Sequence, residues 1–124
     1  ARVLVAEDNE INREVAAAIL EEVDLVVDMA VDGVEALARV ANNDYRLVLM
    51  DMQMPNLDGL DAAREIRKLP QGAALPIIAM TANAFSEDRQ RCLDAGMNDF
   101  ISKPVIPEAL YERLLKWLEQ RPPN

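Results

Sequence analysis

Short apolar runs alternate along the chain with longer stretches in which apolar residues recur every three or four positions. A run of four or five apolar residues is typical of a buried strand, and the longer spacing is typical of an amphipathic helix. The pattern predicts five strands, at residues 2–6, 25–29, 47–50, 76–80 and 98–102. Because a helical stretch follows each strand, the sequence predicts five βα units and a mainly parallel sheet.

Several residues suit the boundaries of the helical stretches. These are Asn9, Asp58 and Ser86 as N-caps, Asp32-Gly33 as a turn into the second helix, Pro107 as a first helical residue and Gly96 as a stop. The apolar spacing also predicts which side chains face inward. They are Ile11, Val15, Ala18 and Ile19; Val34, Leu37 and Val40; Leu60, Ala63, Ile66 and Leu69; and Leu110, Leu114, Trp117 and Leu118.

These units predict an α/β domain of the flavodoxin-like, doubly wound (βα)5 type, with helices on both faces of a five-stranded parallel sheet. We expect the strand order 2-1-3-4-5, which the sequence alone does not fix. The length of 124 residues suits one domain, which we assign to residues 1–121, with 122–124 as the start of a linker. Ala1 enters a strand at once and Pro122-Pro123 cannot extend a helix, which fits a module of a longer protein.

Composition argues against several classes of function. The chain carries 13 basic and 22 acidic residues, a formal net charge of −9, so it would repel a nucleic-acid backbone. It has no histidine and a single cysteine, Cys92, which excludes His-dependent catalysis and an intrachain disulfide. No apolar stretch approaches the roughly 20 residues of a transmembrane helix. We therefore expect no direct contact with nucleic acid or membrane, and a cytoplasmic location.

Polar residues follow four of the predicted strands where each strand ends. Glu7 and Asp8 follow the first strand, Asp51 the third, Thr81 the fourth and Lys103 the fifth. Open α/β sheets place their ligands at this edge. Three acids there would repel one another, and Mg²⁺, which takes one or two carboxylates and keeps waters and phosphate oxygens, would relieve the repulsion. The plainer alternative is two acids that cap the first helix and one solvated acid.

The chain resembles the receiver domains of two-component response regulators along nearly its whole length. The matching segments are Glu7-Asp8-Asn9, Asp51-Met52-Gln53-Met54-Pro55, Asp58-Gly59, Met80-Thr81-Ala82 and Lys103-Pro104. A bare Asp-x-x-x-Pro would carry no weight, but the order and spacing of all five segments are highly specific. The resemblance implies a phosphoacceptor domain of a phosphorelay.

The resemblance also implies a role for each acid. Asp51 would be the nucleophile that takes a phosphoryl group from a phosphohistidine and forms an aspartyl phosphate. Mg²⁺ would be held by Glu7, Asp8 and Asp51, directly or through water. The backbone carbonyl of Gln53 would be a further ligand.

Other residues would serve binding and switching. Lys103 and the Thr81 hydroxyl would bind phosphoryl oxygens, and Thr81 with Phe100 would form the switch. Lys103 could instead be an ordinary solvated lysine. Phe100 could instead be an ordinary aromatic residue of an edge strand. Gly59 and Pro104 would be structural. The face formed by the fourth helix, fifth strand and fifth helix would change its binding and is a candidate homodimer interface.

The chain departs from many relatives at the end of the first helix. They carry glycine near position 24, where this chain has Asp24. Aspartate tolerates the left-handed conformation less well than glycine, so we expect a reshaped turn there and an unaffected site.

Segments 51–55, 80–84 and 96–99 look most like those of receivers fused to hybrid sensor histidine kinases. That context implies a histidine kinase core as the phosphoryl donor, in the same polypeptide or its dimer mate, and a histidine phosphotransfer domain as the acceptor. The acceptor would dock over the acidic strand ends and the first helix, where Arg13 is a candidate contact. The domain itself would catalyse only the transfer to its own aspartate and its own dephosphorylation.

Several alternatives stay open. A stand-alone single-domain response regulator would have the same sequence features. An Mg²⁺-dependent, haloacid-dehalogenase-like phosphatase would need a second acid where Gln53 stands. A flavodoxin-like cofactor binder would need a phosphate-binding loop after the first strand, where Glu7 and Asp8 would repel the ligand. A degenerate receiver that serves only as an interaction module would not need the full set of polar residues.

Overall fold

A computed structural model describes residues 2–52, 54, 56–82, 86–103 and 105–119, with the backbone alone for 86–88 and 119. Strands and helices alternate as predicted, and their bounds lie close to the predicted ones. The elements are β1 (Arg2–Ala6), α1 (Glu10–Glu21), β2 (Val26–Ala30), α2 (Gly33–Asn42), β3 (Leu47–Asp51), α3 (Gly59–Arg67), a 3-10 turn (Pro70–Gly72), β4 (Ile77–Thr81), α4 (Ser86–Asp94), β5 (Asp99–Ser102) and α5 (Pro107–Glu119).

The strands form one parallel five-stranded sheet in the order β2-β1-β3-β4-β5, which confirms the predicted flavodoxin-like fold. β3 and β4 are buried along their whole length, whereas β2 at one edge is partly exposed. Ala6 pairs with Met50 and Thr81 pairs with Ser102, so the carboxyl ends of these strands are nearly level. The residues that follow the strands therefore meet at one edge of the sheet.

Two separate cores lie on the two faces of the sheet, because alternate residues of a strand point in opposite directions. Leu47 and Leu49 of β3 pack into the core that α1 and α5 cover, whereas Val48 and Met50 pack into the core that α2, α3 and α4 cover. This two-sided burial explains the unbroken apolar runs of the central strands.

Of the four residues predicted on the inward face of α1, Ile19 is buried, and the prediction was wrong for the other three. Ile11 and Val15 are 70% and 44% exposed, and Ala18 is exposed as well. The apolar spacing fits several faces of this helix, and only packing on the sheet selects one of them. The buried residues of α1 are Ala16, Ala17, Ile19 and Leu20. Val34 of α2, also predicted to face inward, is 55% exposed.

Most predicted helix boundaries are explained by local hydrogen bonds. Asn9, Asp32 and Asp58 each accept a hydrogen bond from the backbone N–H three residues further on, at 3.0, 2.8 and 2.9 Å. α4 begins at Ser86 itself, one residue before the predicted start. Two left-handed residues follow helices: Gly96 with φ 97° and Asp24 with φ 64°. Asp24 thus takes the backbone conformation that a glycine would take more readily.

Candidate functional site

The polar residues predicted at the strand ends come together in one cleft. Glu7 follows β1, Asp51 ends β3, Thr81 ends β4 and Lys103 follows β5. With Asp8 they line a cleft of about 460 Å³ at the carboxyl edge of the sheet. Glu7, Asp51 and Thr81 are 1%, 4% and 6% exposed, whereas Asp8 is exposed. The cleft therefore has buried polar groups at its base and Asp8 at its rim.

Lys103 lies between two buried carboxylates. Its Nζ is 2.9 Å from Oε2 of Glu7 and 3.0 Å from Oδ1 of Asp51. Its backbone N–H donates to the carbonyl of Thr81 at 2.8 Å, which fixes Lys103 at the end of β4. Burial by itself lowers the pKa of Lys103, but the two carboxylates outweigh burial and the pKa is raised. The protonated ammonium can therefore compensate negative charge on Asp51.

Glu7 is a carboxylate in an unfavourable position. Burial raises its pKa, Lys103 lowers it in part, and the neighbouring Asp51 raises it further. Its Oε1 accepts a hydrogen bond from the Asn9 backbone at 3.2 Å. Its Oε2 is buried and, within the described part of the chain, accepts no hydrogen bond of good geometry beside the ion pair with Lys103. Such an oxygen has unused capacity to bind a cation.

The acids fit a divalent metal ion. Glu7, Asp8 and Asp51 each offer one carboxylate oxygen, and these oxygens lie within 4.8 Å of one another. Mg²⁺ prefers hard oxygen donors and keeps several waters, which the open side of the cleft allows. The predicted further donor, the Gln53 carbonyl, lies outside the described residues, as do Pro55 and Pro104.

Arg13, which we predicted as a contact for the acceptor, instead holds the segment that carries Glu7 and Asp8. Nη1 of Arg13 donates to the backbone carbonyl of Glu7 at 2.9 Å and to that of Asp8 at 3.2 Å. Arg13 is half-buried, and we had expected only an exposed contact for a partner. Its position four residues after the N-cap Asn9 is the signal that could have indicated this contact, because such a residue lies above the first helical turn.

Gly59 lies where no side chain fits. A Cβ on Gly59 would overlap the backbone carbonyl of Asp51, and the Gly59 N–H donates to the carbonyl of Met52 at 3.0 Å. The start of α3 thus packs directly on the segment that carries Asp51. The cleft is also lined by residues to which the sequence analysis gave no binding role: Asn12, Asp58 and Arg91.

Phe100 lies in β5, away from the residues that line the cleft. Its ring is half-buried, and the guanidinium carbon of Arg89 lies 4.4 Å from the ring centroid. The Phe100 carbonyl accepts a hydrogen bond from Nε of Arg113 at 3.3 Å. The ring therefore packs on the core that α2, α3 and α4 cover, beside Arg89 of α4.

The sequence of this chain matches a known protein family. A sequence model of the response regulator receiver domain matches residues 3–115. The chain belongs to the response regulator receiver domain family. Membership favours the receiver over the phosphatase and the cofactor binder. Hybrid signal transduction histidine kinase L of Dictyostelium discoideum is 40% identical over 122 residues, which cover 94% of this chain. The chain spans 7% of the length of that curated relative.

Solved receiver structures agree with the fold. The receiver domain of sensor histidine kinase PA1611 from Pseudomonas aeruginosa matches with a TM-score of 0.90 and 40% identity, over 96% of this chain and 98% of that chain. That structure holds a magnesium ion coordinated in the active site cleft. A second match is a co-crystal structure from Saccharomyces cerevisiae. It contains the histidine phosphotransfer signalling protein Ypd1 and the receiver domain of its downstream response regulator Ssk1. The TM-score is 0.87 and the identity 30%, over 94% of this chain and 87% of that chain.

Among the described residues, no helix of this receiver domain is both long enough and apolar enough to span a bilayer.

Proposed function

We propose that Asp51 of this receiver domain accepts a phosphoryl group from a phosphohistidine and that the aspartyl phosphate is the signalling form. One observation carries the proposal. A buried carboxylate ends the central strand, its Oδ1 is 3.0 Å from the half-buried ammonium of Lys103, and a hydroxyl lines the same cleft. Asp58, also in the cleft, is instead engaged as the N-cap of α3.

The transfer forms a bond between a carboxylate oxygen of Asp51 and phosphorus and breaks the bond between phosphorus and the donor imidazole nitrogen, which keeps the electron pair. Negative charge spreads over the three remaining phosphoryl oxygens in the transition state. Lys103 would offset that charge, and the Thr81 hydroxyl would donate to one oxygen. Both groups are held in a largely buried site, where such interactions are stronger than in water.

Glu7, Asp8 and Asp51 would hold Mg²⁺, with the Gln53 carbonyl as the further ligand that the resemblance implies. The bound cation would offset the repulsion between these acids and the incoming phosphoryl group. The clustering of three carboxylate oxygens supports this assignment, as does the magnesium ion in the PA1611 receiver domain.

Intact mass after incubation with acetyl phosphate and Mg²⁺ tests the proposal. The parent should gain one phosphoryl group, and Asp51→Asn should gain none. Asp58→Asn is the matched control, because it removes a second carboxylate from the same cleft, and it should still be labelled. Equal labelling of the Asp51→Asn protein would contradict the assignment.

We further propose that the domain is a module of a hybrid sensor histidine kinase, with a histidine phosphotransfer domain as the onward acceptor. The Dictyostelium relative and the Ypd1 co-crystal structure support this context. An exposed apolar surface beside the cleft suits the acceptor: Ile11 and Val15 of α1 and Ile106 before α5 are 70%, 44% and 55% exposed. Val15 and Val105 line one small cavity with Lys103, so this surface reaches the cleft.

Exchange of Ile11 and Val15 for serine tests this docking surface. Phosphotransfer from the labelled domain to a purified histidine phosphotransfer domain should slow, whereas labelling by acetyl phosphate should not change. Val34→Ser, which alters an equally exposed valine on α2, is the control. The same rate of transfer for all three proteins would remove α1 from the interface.

The parent gene decides the context. A kinase core in the same reading frame would establish the hybrid kinase, and a frame that ends near residue 124 would establish a single-domain regulator. We also propose a cytoplasmic location, with which the presence of a single cysteine in the sequence is compatible. The α4-β5-α5 face is proposed as the surface that phosphorylation alters and as a candidate homodimer interface.

A further inference from the structure

The loop between β1 and α1, residues 7–9, carries two of the three acids. The Glu7 N–H donates to the carbonyl of Ala30 at 3.0 Å, and the Asn9 N–H donates to the Glu7 side chain. The carbonyls of Glu7 and Asp8 both accept from the same guanidinium nitrogen of Arg13, at 2.9 and 3.2 Å. One side chain on the second turn of α1 therefore joins two consecutive peptide groups of the loop.

The chemistry of this contact is specific. The Arg13 guanidinium lies among acidic residues, yet within the described part of the chain both of its hydrogen bonds are with backbone carbonyls. Arg13 thus holds the loop without occupying a carboxylate oxygen of Glu7 or Asp8. A charge-assisted hydrogen bond is stronger than a neutral one, so this contact restrains the loop backbone firmly.

We propose that Arg13 is a positioning residue of the metal site: it fixes the β1–α1 loop so that the carboxylates of Glu7 and Asp8 meet that of Asp51. The inference rests on the proposed function of this cleft. Outer-shell groups that orient the ligands of a metal are important for affinity, because a loop that must be ordered on binding lowers the affinity.

A purely electrostatic role predicts the opposite effect of mutation. Arg13 carries a positive charge close to a cation site, and removal of that charge alone would strengthen Mg²⁺ binding. A positioning role predicts weaker binding, both when the side chain is removed and when lysine, a point charge without the planar fork, replaces it. The two roles therefore predict opposite changes in Mg²⁺ affinity for Arg13→Ala. For Arg13→Lys they predict changes of different size.

The experiment measures the Mg²⁺ affinity of the isolated domain by titration of backbone amide NMR shifts, without a phosphodonor. We expect Arg13→Ala and Arg13→Lys each to weaken Mg²⁺ binding by on the order of tenfold, with faster amide exchange in the loop of the apo protein. Arg46→Ala is the control, since Arg46 is exposed at the opposite end of β3 and its loss removes the same charge. The parent and the control should bind Mg²⁺ equally.

The outcomes separate this inference from the proposed function. If Arg13→Lys binds Mg²⁺ with the affinity of the parent, or if Arg13→Ala binds it more tightly, the positioning role is wrong. Arg13 would then act on the metal site only through its charge. If both variants bind Mg²⁺ with the affinity of the parent, Arg13 has no role in the metal site and stays a candidate contact for the acceptor. A parent that fails to bind Mg²⁺ or to be labelled at Asp51 would contradict the proposed function itself. If Arg13→Ala does not fold, Arg13→Lys and Arg13→Gln give the same comparison.

Discussion

The ammonium of Lys103 lies 2.9 Å from Oε2 of Glu7, a side chain that is 1% exposed. This ion pair does not fully compensate the burial of Glu7, because Asp51 shares the same ammonium at 3.0 Å. The net effect is a raised pKa for Glu7, from burial first and from Asp51 next, opposed by Lys103. Two properties of the domain follow, one in its stability and one in its metal affinity.

The first prediction concerns stability against pH without Mg²⁺. Above the ordinary Glu7 value of 4.5 and up to its raised folded pKa, the folded state binds more protons than the unfolded state. The free energy of unfolding contributed by Glu7 therefore falls as pH rises through this window. Glu7→Gln should remove that fall, as measured by urea unfolding at a series of pH values. Glu65→Gln, at an exposed pair with Lys68, should keep it.

The second prediction concerns Mg²⁺. Ligand binding to the folded state raises the thermal midpoint, so Mg²⁺ should stabilise the parent. The rise should become smaller as pH falls through the raised pKa of Glu7, because protonation removes a ligand. Asp8→Asn should lose most of the rise, and Asp61→Asn, an exposed acid on α3, should retain it. The same rise in Asp8→Asn and the parent would mean that the acid cluster is not the metal site.

The third prediction concerns the switch. Phosphorylation should draw the Thr81 hydroxyl inward and shift Phe100 toward a buried rotamer. The Arg89 guanidinium at 4.4 Å stabilises the present ring position by about 0.5–1 kcal/mol, so the ring must leave this contact. Arg89→Ala should therefore raise the buried population of the unphosphorylated domain by roughly two- to fivefold.

Aromatic NMR signals of Phe100, with and without phosphorylation, measure this population. Arg64→Ala, on an exposed helix surface, is the control and should leave the signals unchanged. Shifts confined to the metal site, with Phe100 and the α4-β5-α5 face unmoved after phosphorylation, would refute the switch.

The fourth prediction concerns the amino-terminal ends of β4 and β5, at the side of the sheet opposite the cleft. Arg67 donates to the carbonyls of Gly72, Leu75 and Gly96 at 2.7, 2.6 and 2.8 Å and to Oδ1 of Asn98 at 2.6 Å. Arg67→Met would leave these acceptors without their donor, and we expect a loss of about 2–4 kcal/mol in unfolding free energy.

Arg64→Met is the matched control on the same helix. Arg64 has an exposed ion pair with Asp61, so its loss should cost less than about 1 kcal/mol. Urea unfolding of both variants at one pH measures the difference. Equal stability of the two would show that the Arg67 contacts do not contribute in solution.

Some of the fold and of the site is local in origin, and the sequence predicted that part. Buried strands need unbroken apolar runs, and helix starts need capping oxygens, so both are visible in short segments. The acids of the site follow strand ends directly in the sequence. The reshaped turn expected at Asp24 was wrong, because Asp24 takes the left-handed conformation itself, with φ 64°.

The type and order of the elements and the set of polar residues at the strand ends were therefore predictable from the sequence. Tertiary structure decided the strand order, the buried face of α1, the contact of Arg13 with the acidic loop and that of Arg89 with Phe100. In α1 the apolar residues are dense enough to suit several faces, and only packing on the sheet selects one. The arginine contacts join side chains to groups on other turns or other elements, and no local spacing specifies such a pair.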